Sequence, residues 1–362
     1  MSATTAATRD EADVARGLQS IVDRAIQRNI KGLQYISSPT PSLGLTPKEV
    51  VLKRGTLNLY HYLPQAEEVY RVPVVMVMAT TNRGYLFDLA PGASLIEFML
   101  KRGFDVFVVD WSPPTPEEKT LGLADYVCDF LPEVVGCVRE ITGERDVSLA
   151  GYCMGGVLTI LYAALNANDP PKNLVCFTTP VDFGRMALFQ KWSDPRFFDV
   201  DRLVETLGNV PSEVIFGAFE MLRPATRTAS RLQLLESMWN EETLKSFRRF
   251  ERWSTDTLPL PGAYFRETTK EFFWKNSLFK GKLELRGKRA DLSAIVSPFL
   301  HVIAEHDHIV PPECAAPLVR MVSSADKQEV MLKGGHVSLV AGPNAVSRMW
   351  PTLETWLGER SA

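Results

Sequence analysis

The sequence predicts an α/β protein with a mostly parallel, doubly wound sheet. One observation behind this is a set of short β-prone runs, largely apolar, at 72–79, 104–109, 147–150, 174–178, 299–304 and 329–332. Near-continuous apolar strands of this kind belong to sheets covered on both faces. A second is the alternation of those runs with helix-period segments at 94–102, 123–141, 155–166 and 344–356, the pattern of parallel strands joined by helices. A third is that the rhythm fails over 182–291, which is rich in Phe, Trp, Leu, Arg and Pro and mostly helical in period. That stretch reads as a mainly helical cap inserted above the carboxyl end of the sheet. The expected division is a tail and amphipathic helix over 1–40, core over 41–182 and 292–362, and the cap over 183–291.

Bulk properties narrow the function. The 362 residues are 45% hydrophobic and 23% charged, ordinary for a globular chain, and the net charge of -3 gives no reason to expect nucleic acid or an anionic membrane as partner. Five cysteines, an odd number without a C-x-x-C pair, suggest neither a disulfide framework nor a zinc ribbon. No apolar run is long enough to span a bilayer and no signal-peptide core is visible. A reduced cytoplasm is the expected setting.

Residues 1–10 are low-complexity and expected to be disordered. Over 12–33, Val14, Leu18, Ile21, Val22, Ala25, Ile26, Ile30 and Leu33 make one stripe of an amphipathic helix, either packed on its own domain or docked to a partner. Residues 37–42 read as a linker, and Thr46 to Glu49 as a capping box opening a short helical turn. Two β-prone runs follow at 50–53 and 57–62. In the helix over 123–141, Cys128 and Cys137 lie beside the buried stripe, as packing residues.

The chemistry centres on Gly151, Tyr152, Cys153, Met154, Gly155 and Gly156. A β-prone run meets a helix-forming run here, with Cys153 at the turn and a glycine two residues to either side. A nucleophile on so tight a turn needs small neighbours, because a Cβ there would collide with the adjoining strand or helix. The pattern is that of an α/β-hydrolase nucleophile elbow, with Cys where most such elbows have Ser. Its base and acid should follow in the order nucleophile, acid, histidine. His336, after Gly334 and Gly335 and the last predicted strand, is the candidate base; His61 and His301 lie in β-prone runs without a catalytic setting. Asp307, after the strand at 299–304 and before Pro311 and Pro312, is the candidate acid, better placed than Glu305. The oxyanion hole would use the N–H of Met154 and that of Thr81 or Asn82. His306 and His308 straddle Asp307, but no further His or Cys has metal-site spacing, so no metal is expected. A thiolate suits acyl transfer between thioesters better than ester hydrolysis, because it attacks and leaves readily.

These segments, with Thr179 to Phe183, Gly208 to Pro211, Asp307 to Pro311, Gly44 to Val50 and Asp105 to Trp111, resemble the catalytic subunit of polyhydroxyalkanoate synthases. The resemblance runs from about residue 40 to the end. The short length is similar to the partner-dependent class III and IV enzymes, with the elbow and 44–50 leaning toward class IV. It implies an acyltransferase that polymerises (R)-3-hydroxyacyl-coenzyme A, most simply the 3-hydroxybutyryl thioester, releasing coenzyme A. It also implies Cys153 as acyl carrier, His336 as its activator, and Asp307 either orienting His336 or activating the substrate hydroxyl. No cofactor beyond the coenzyme A thioester substrate is implied. The partners implied are an accessory subunit, a homodimer or hetero-oligomer, and the surface of cytoplasmic polyester granules. Lys245, Arg248, Arg249 and Arg252 could meet coenzyme A phosphates or simply form a solvated helix face. The competing readings are an intracellular polyester depolymerase or thioesterase with the same triad, and a non-catalytic granule scaffold.

Overall fold

Eight strands form one sheet in the order β1-β2-β4-β3-β5-β6-β9-β10 in a computed structural model that describes the backbone of residues 2–342 and 344–362, and side chains apart from those of 1–12, 36, 225–228, 230, 231 and 343. The strands are β1 (Lys48–Arg54), β2 (Leu57–Tyr62), β3 (Val74–Val77), β4 (Val106–Trp111), β5 (Ser148–Tyr152), β6 (Asn173–Phe177), β9 (Phe299–Ala304) and β10 (Lys327–Leu332). A separate small hairpin, β7 (Glu284–Leu285) with β8 (Lys288–Arg289), lies in the inserted segment and gives no period signal because each strand has two residues. From β4 to β10 every neighbouring pair is parallel; β1–β2 and β2–β4 are antiparallel. The central strands β3, β4, β5, β6 and β9 are buried along their whole lengths, as strands covered on both faces must be.

The expected capping box at 46–49 is corrected. Residues 48 and 49 are already in β1, and the Thr46 hydroxyl and N–H go to the buried Asp88 carboxylate at 2.6 and 3.0 Å. A long-range acceptor outcompetes the local cap. The expected helix over 123–141 forms with a π turn at Tyr126–Phe130 between Leu123–Asp125 and Leu131–Thr142. Pro132 supplies no N–H and crowds the carbonyl four residues back, and widening the preceding turn relieves both problems. Cys128 and Cys137 pack against the core, with thiols pushed up first by burial.

Two compact units emerge from the contacts: Leu43–Leu222 with Asp256–Ala362, and Met1–Ser42 with Arg223–Thr255. The inserted segment therefore divides, its middle joining the N-terminal unit and its two ends the sheet-bearing unit. In the N-terminal unit a helix spans Ser2–Ser37. Of the disorder expected over 1–10, Met1 lies outside the described residues and the backbone of 2–10 is helical, where Ala3, Ala6 and Ala7 favour helix. This helix meets Glu241–Thr255 through Tyr35, which donates to Glu251 at 2.6 Å, and Lys31, which pairs with Glu241 at 3.2 Å, and Tyr35 also packs against the apolar cluster of Leu234, Met238 and Leu244. Val14, Leu18, Ile21, Val22, Ile26, Ile30 and Leu33 stay exposed while Ala25 is half-buried, so most of the stripe does not pack inside its own unit. Arg248 is engaged there by the Ser38 and Pro39 carbonyls, and Lys245 by Glu241 at 2.9 Å. No helix of the described residues is long and apolar enough to cross a membrane.

Candidate active site

Cys153 follows β5 directly and N-caps the helix Met154–Leu165. Its backbone sits at φ 55°, ψ -119°, outside the relaxed regions for a side-chain-bearing residue. Thr178, next after β6, has φ 44°, rarer still for a β-branched residue. The two are linked through Phe177, whose carbonyl accepts the Cys153 N–H at 2.9 Å. Each such residue costs on the order of 1–3 kcal/mol and persists only where packing over-determines it.

The glycines of the elbow provide that packing. A Cβ on Gly155 would lie 2.1 Å from the Val77 carbonyl oxygen, and one on Gly151 2.4 Å from the Gly156 Cα. The helix start is therefore pressed against the end of β3, which directs Cys153 and the N–H of Met154 toward the carboxyl end of the sheet. Cys153 remains partly accessible, whereas Cys176 and Cys314 are buried, their thiols pushed up to about 12 mainly by burial.

Asp307 and His336 come to the same end because β9 and β10 pair in register, Ala304 opposite Leu332. Beyond that pair the two loops are knitted by Glu305 N–H to the Leu332 carbonyl and His306 N–H to the Gly334 carbonyl, both 2.9 Å. Gly334 at φ 145° allows the turn that brings His336 inward. His336 Nδ1 lies 2.6 Å from Asp307 Oδ2, and both side chains are buried. The other carboxylate oxygen, Oδ1, accepts the N–H groups of Ile309 and Val310 at 2.9 and 2.8 Å. Both oxygens of Asp307 are thus committed.

Burial alone would pull the His336 imidazole down, but Asp307 and Cys153 beside it outweigh burial and push it up to about 10. The side chains of Cys153 and His336 are thus within interaction range. With the folded value above the ordinary 6.5, the charged ring stabilises the fold fully below pH 6.5, and the contribution is lost as pH rises toward about 10. We expect the stability gap between wild type and His336→Gln, from urea unfolding, to be widest near pH 6 and to close at alkaline pH. A gap that widens with pH would contradict this charge arrangement.

The sequence reading did not single out several neighbours. Tyr152 is buried, its ring 5.0 Å from that of His336, and its hydroxyl donates to the His336 carbonyl at 3.3 Å; its place inside the elbow motif was the available signal. Asp110 accepts the Gly84 N–H at 2.6 Å and pairs with Arg83 at 3.3 Å, bracing the loop after β3. Asn82 N–H in that loop donates to the Ala79 carbonyl at 3.3 Å. His61 instead bonds Asp105 at 2.7 Å, and His301 is enclosed in β9, its imidazole pulled down by burial. His306 is exposed beside Glu305. Among the described residues no group of three or more His, Cys, Asp or Glu side chains stands ready to hold a metal.

Comparison with known proteins gives this geometry a lineage. Residues 84–343 match the family model described as alpha/beta hydrolase fold, and 38–99 match that of the poly-beta-hydroxybutyrate polymerase (PhaC) N-terminus. The chain is 34% identical over 321 residues to the poly(3-hydroxyalkanoate) polymerase subunit PhaC of Allochromatium vinosum, covering 88% of this chain and 90% of that one. It is 33% identical over 322 residues to the Haloferax mediterranei subunit, covering 88% of this chain but spanning only 65% of that relative's length. Among solved structures, a soluble variant of monoglyceride lipase from Saccharomyces cerevisiae shares the fold at TM-score 0.56 and 13% identity, covering 90% of this chain and 99% of that one. A putative lipase from Sulfolobus solfataricus does so at 0.55 and 14%, covering 86% and 99%. A cysteine at a strand-to-helix elbow, Asp307 and His336 in loops beyond two strands paired in register, and a PhaC relative matched over nine-tenths of its length converge: the chain belongs to the poly(3-hydroxyalkanoate) polymerase (PhaC) family of enzymes, built on the α/β-hydrolase fold.

Proposed function

We propose that this enzyme polymerises (R)-3-hydroxyacyl-coenzyme A, most simply 3-hydroxybutyryl-coenzyme A, by covalent transfer through Cys153. The observation that carries the reading is a cysteine, not a serine, at a strained elbow beside a buried Asp307–His336 pair. His336 already holds the proton given up by the thiol, the sulfur attacks the thioester carbonyl, and collapse of the tetrahedral intermediate expels coenzyme A, which leaves with that proton from His336. The 3-hydroxyl group of a second thioester then attacks the Cys153 acyl group, its proton passing to His336; the carbon–sulfur bond breaks, Cys153 is released as thiolate, and the chain, one unit longer on coenzyme A, acylates Cys153 again. The oxyanion is held by the N–H of Met154 and, by preference, that of Thr81, since the Asn82 N–H is spent in its turn. Water kept from the acyl-enzyme makes polymerisation win over hydrolysis, and the inserted segment is proposed as that cover. An accessory subunit, self-association and the surface of a cytoplasmic polyester granule are the partners proposed with it; no cofactor takes part.

The decisive experiment supplies 3-hydroxybutyryl-coenzyme A with and without an accessory subunit and follows both coenzyme A and polymer. Coenzyme A with polymer supports the reading; coenzyme A with free hydroxy acid and no polymer under either condition replaces it with a thioesterase.

Both oxygens of Asp307 are occupied in holding His336 and its own loop, which favours an orienting role over direct activation of the substrate hydroxyl. We therefore expect Asp307→Asn to slow acylation itself, by about 10³-fold or more. Normal acylation with failed elongation, seen by trapping the acyl-enzyme, would assign Asp307 to the hydroxyl instead.

A further inference from the structure

The loop after β3 is tied at three places to residues 256–264 of the inserted segment. The Leu258 N–H donates to the Thr81 carbonyl at 2.9 Å. The Thr80 hydroxyl donates to the Tyr264 hydroxyl at 3.3 Å, and the Tyr85 hydroxyl bonds the Asp256 carboxylate. The segment is itself anchored, because Val210 and Leu260 exchange N–H to carbonyl bonds of 2.8 and 3.0 Å. A Cβ on Gly262 would lie 2.0 Å from the Gly208 carbonyl oxygen, so the chain there has no room to shift.

The consequence falls on a single peptide group. The peptide joining Thr81 to Asn82 is held at both ends, its carbonyl by Leu258 and its N–H by the Ala79 carbonyl. The side chain of Thr80 is held by Tyr264. The Thr80–Thr81 peptide, which carries the candidate oxyanion N–H, therefore lies between two pinned points. Tyr264 is only 2% exposed and packs at 4.8 Å on the ring of Tyr126, which fixes its hydroxyl in place.

We propose that residues 256–264 are a strap that sets the oxyanion loop, with Tyr264 as the positioning residue that aims the Thr81 N–H. This rests on the reading of Cys153 as the acylated nucleophile. Oxyanion donors act only when held at hydrogen-bonding distance from where charge develops, and an ångström of misplacement is costly. The insertion thus does more than cover the site: it completes it.

Tyr264→Phe keeps the ring and removes only the hydroxyl. It should lower kcat for coenzyme A release about tenfold and leave KM within about twofold, with a thermal midpoint within about 2 °C of wild type. Thr80→Val should match it, Thr80→Ser should restore activity, and the double variant should be no slower than either single one. Alkylation of Cys153 by iodoacetamide needs no oxyanion loop and should proceed at the wild-type rate in all of them. The strap is overturned if Tyr264→Phe keeps kcat within about twofold, if the two losses multiply in the double variant, or if kcat falls only in step with the thermal midpoint. A wild-type enzyme that forms no acyl-Cys153 overturns the underlying reading and the strap with it.

Discussion

Cys153→Ser should fold like the wild type and lose at least about 10³-fold in coenzyme A release, because a hydroxyl beside His336 is ionised far less than a thiol. The substitution tests chemistry alone. Serine is slightly smaller than cysteine, occupies the same backbone at φ 55°, and leaves the Asp307–His336 contact of 2.6 Å untouched. The far-ultraviolet dichroism and the unfolding midpoint should therefore not move. An activity above about a tenth of wild type would show that no thiolate is needed, and would move the enzyme toward the serine chemistry common on this fold.

Gly155→Ala should produce the largest loss of stability of any single methyl addition in the elbow, about 3 kcal/mol or more. The added Cβ would meet the Val77 carbonyl oxygen at 2.1 Å and the Met78 carbonyl group at 2.8 Å. All of these are backbone atoms of or beside a buried strand, so no side chain can rotate away and β3 itself must shift. Gly136→Ala is the natural control, since a Cβ there has nothing within 4 Å and the residue lies in the helix Leu131–Thr142. It should stabilise by about 0.5–1 kcal/mol through backbone entropy. Denaturant unfolding of the pair provides the check, and equal midpoints would mean that the elbow is looser than its contacts imply.

What was legible in the sequence is what local chemistry encodes. The apolar runs that became β3, β4, β5, β6 and β9 announce themselves because a strand covered on both faces has no polar side to show. The elbow is legible because its glycines answer steric demands within a few residues. The order Cys153, Asp307, His336 is legible because each follows its own strand.

Contacts distant in sequence were decided only by the tertiary structure. Thr46 looked like a helix cap and instead serves Asp88, 42 residues away. Thr80 meets Tyr264 across 184 positions, and no periodicity in either segment could announce the other. The inserted stretch reads as one cap, yet its middle joins the unit of the N-terminal helix and its ends the sheet-bearing unit. The amphipathic stripe from Val14 to Leu33 is plain in the sequence, but only the fold shows that Lys31 and Tyr35 make the contacts while most of the stripe stays exposed. Sequence by itself singled out Cys153, Asp307 and His336 as candidates, since that depends on side-chain type and on position just after a strand. Tertiary structure alone decided what holds them in place, because a backbone donor such as Thr81 N–H owes its direction to partners that share no local pattern with it.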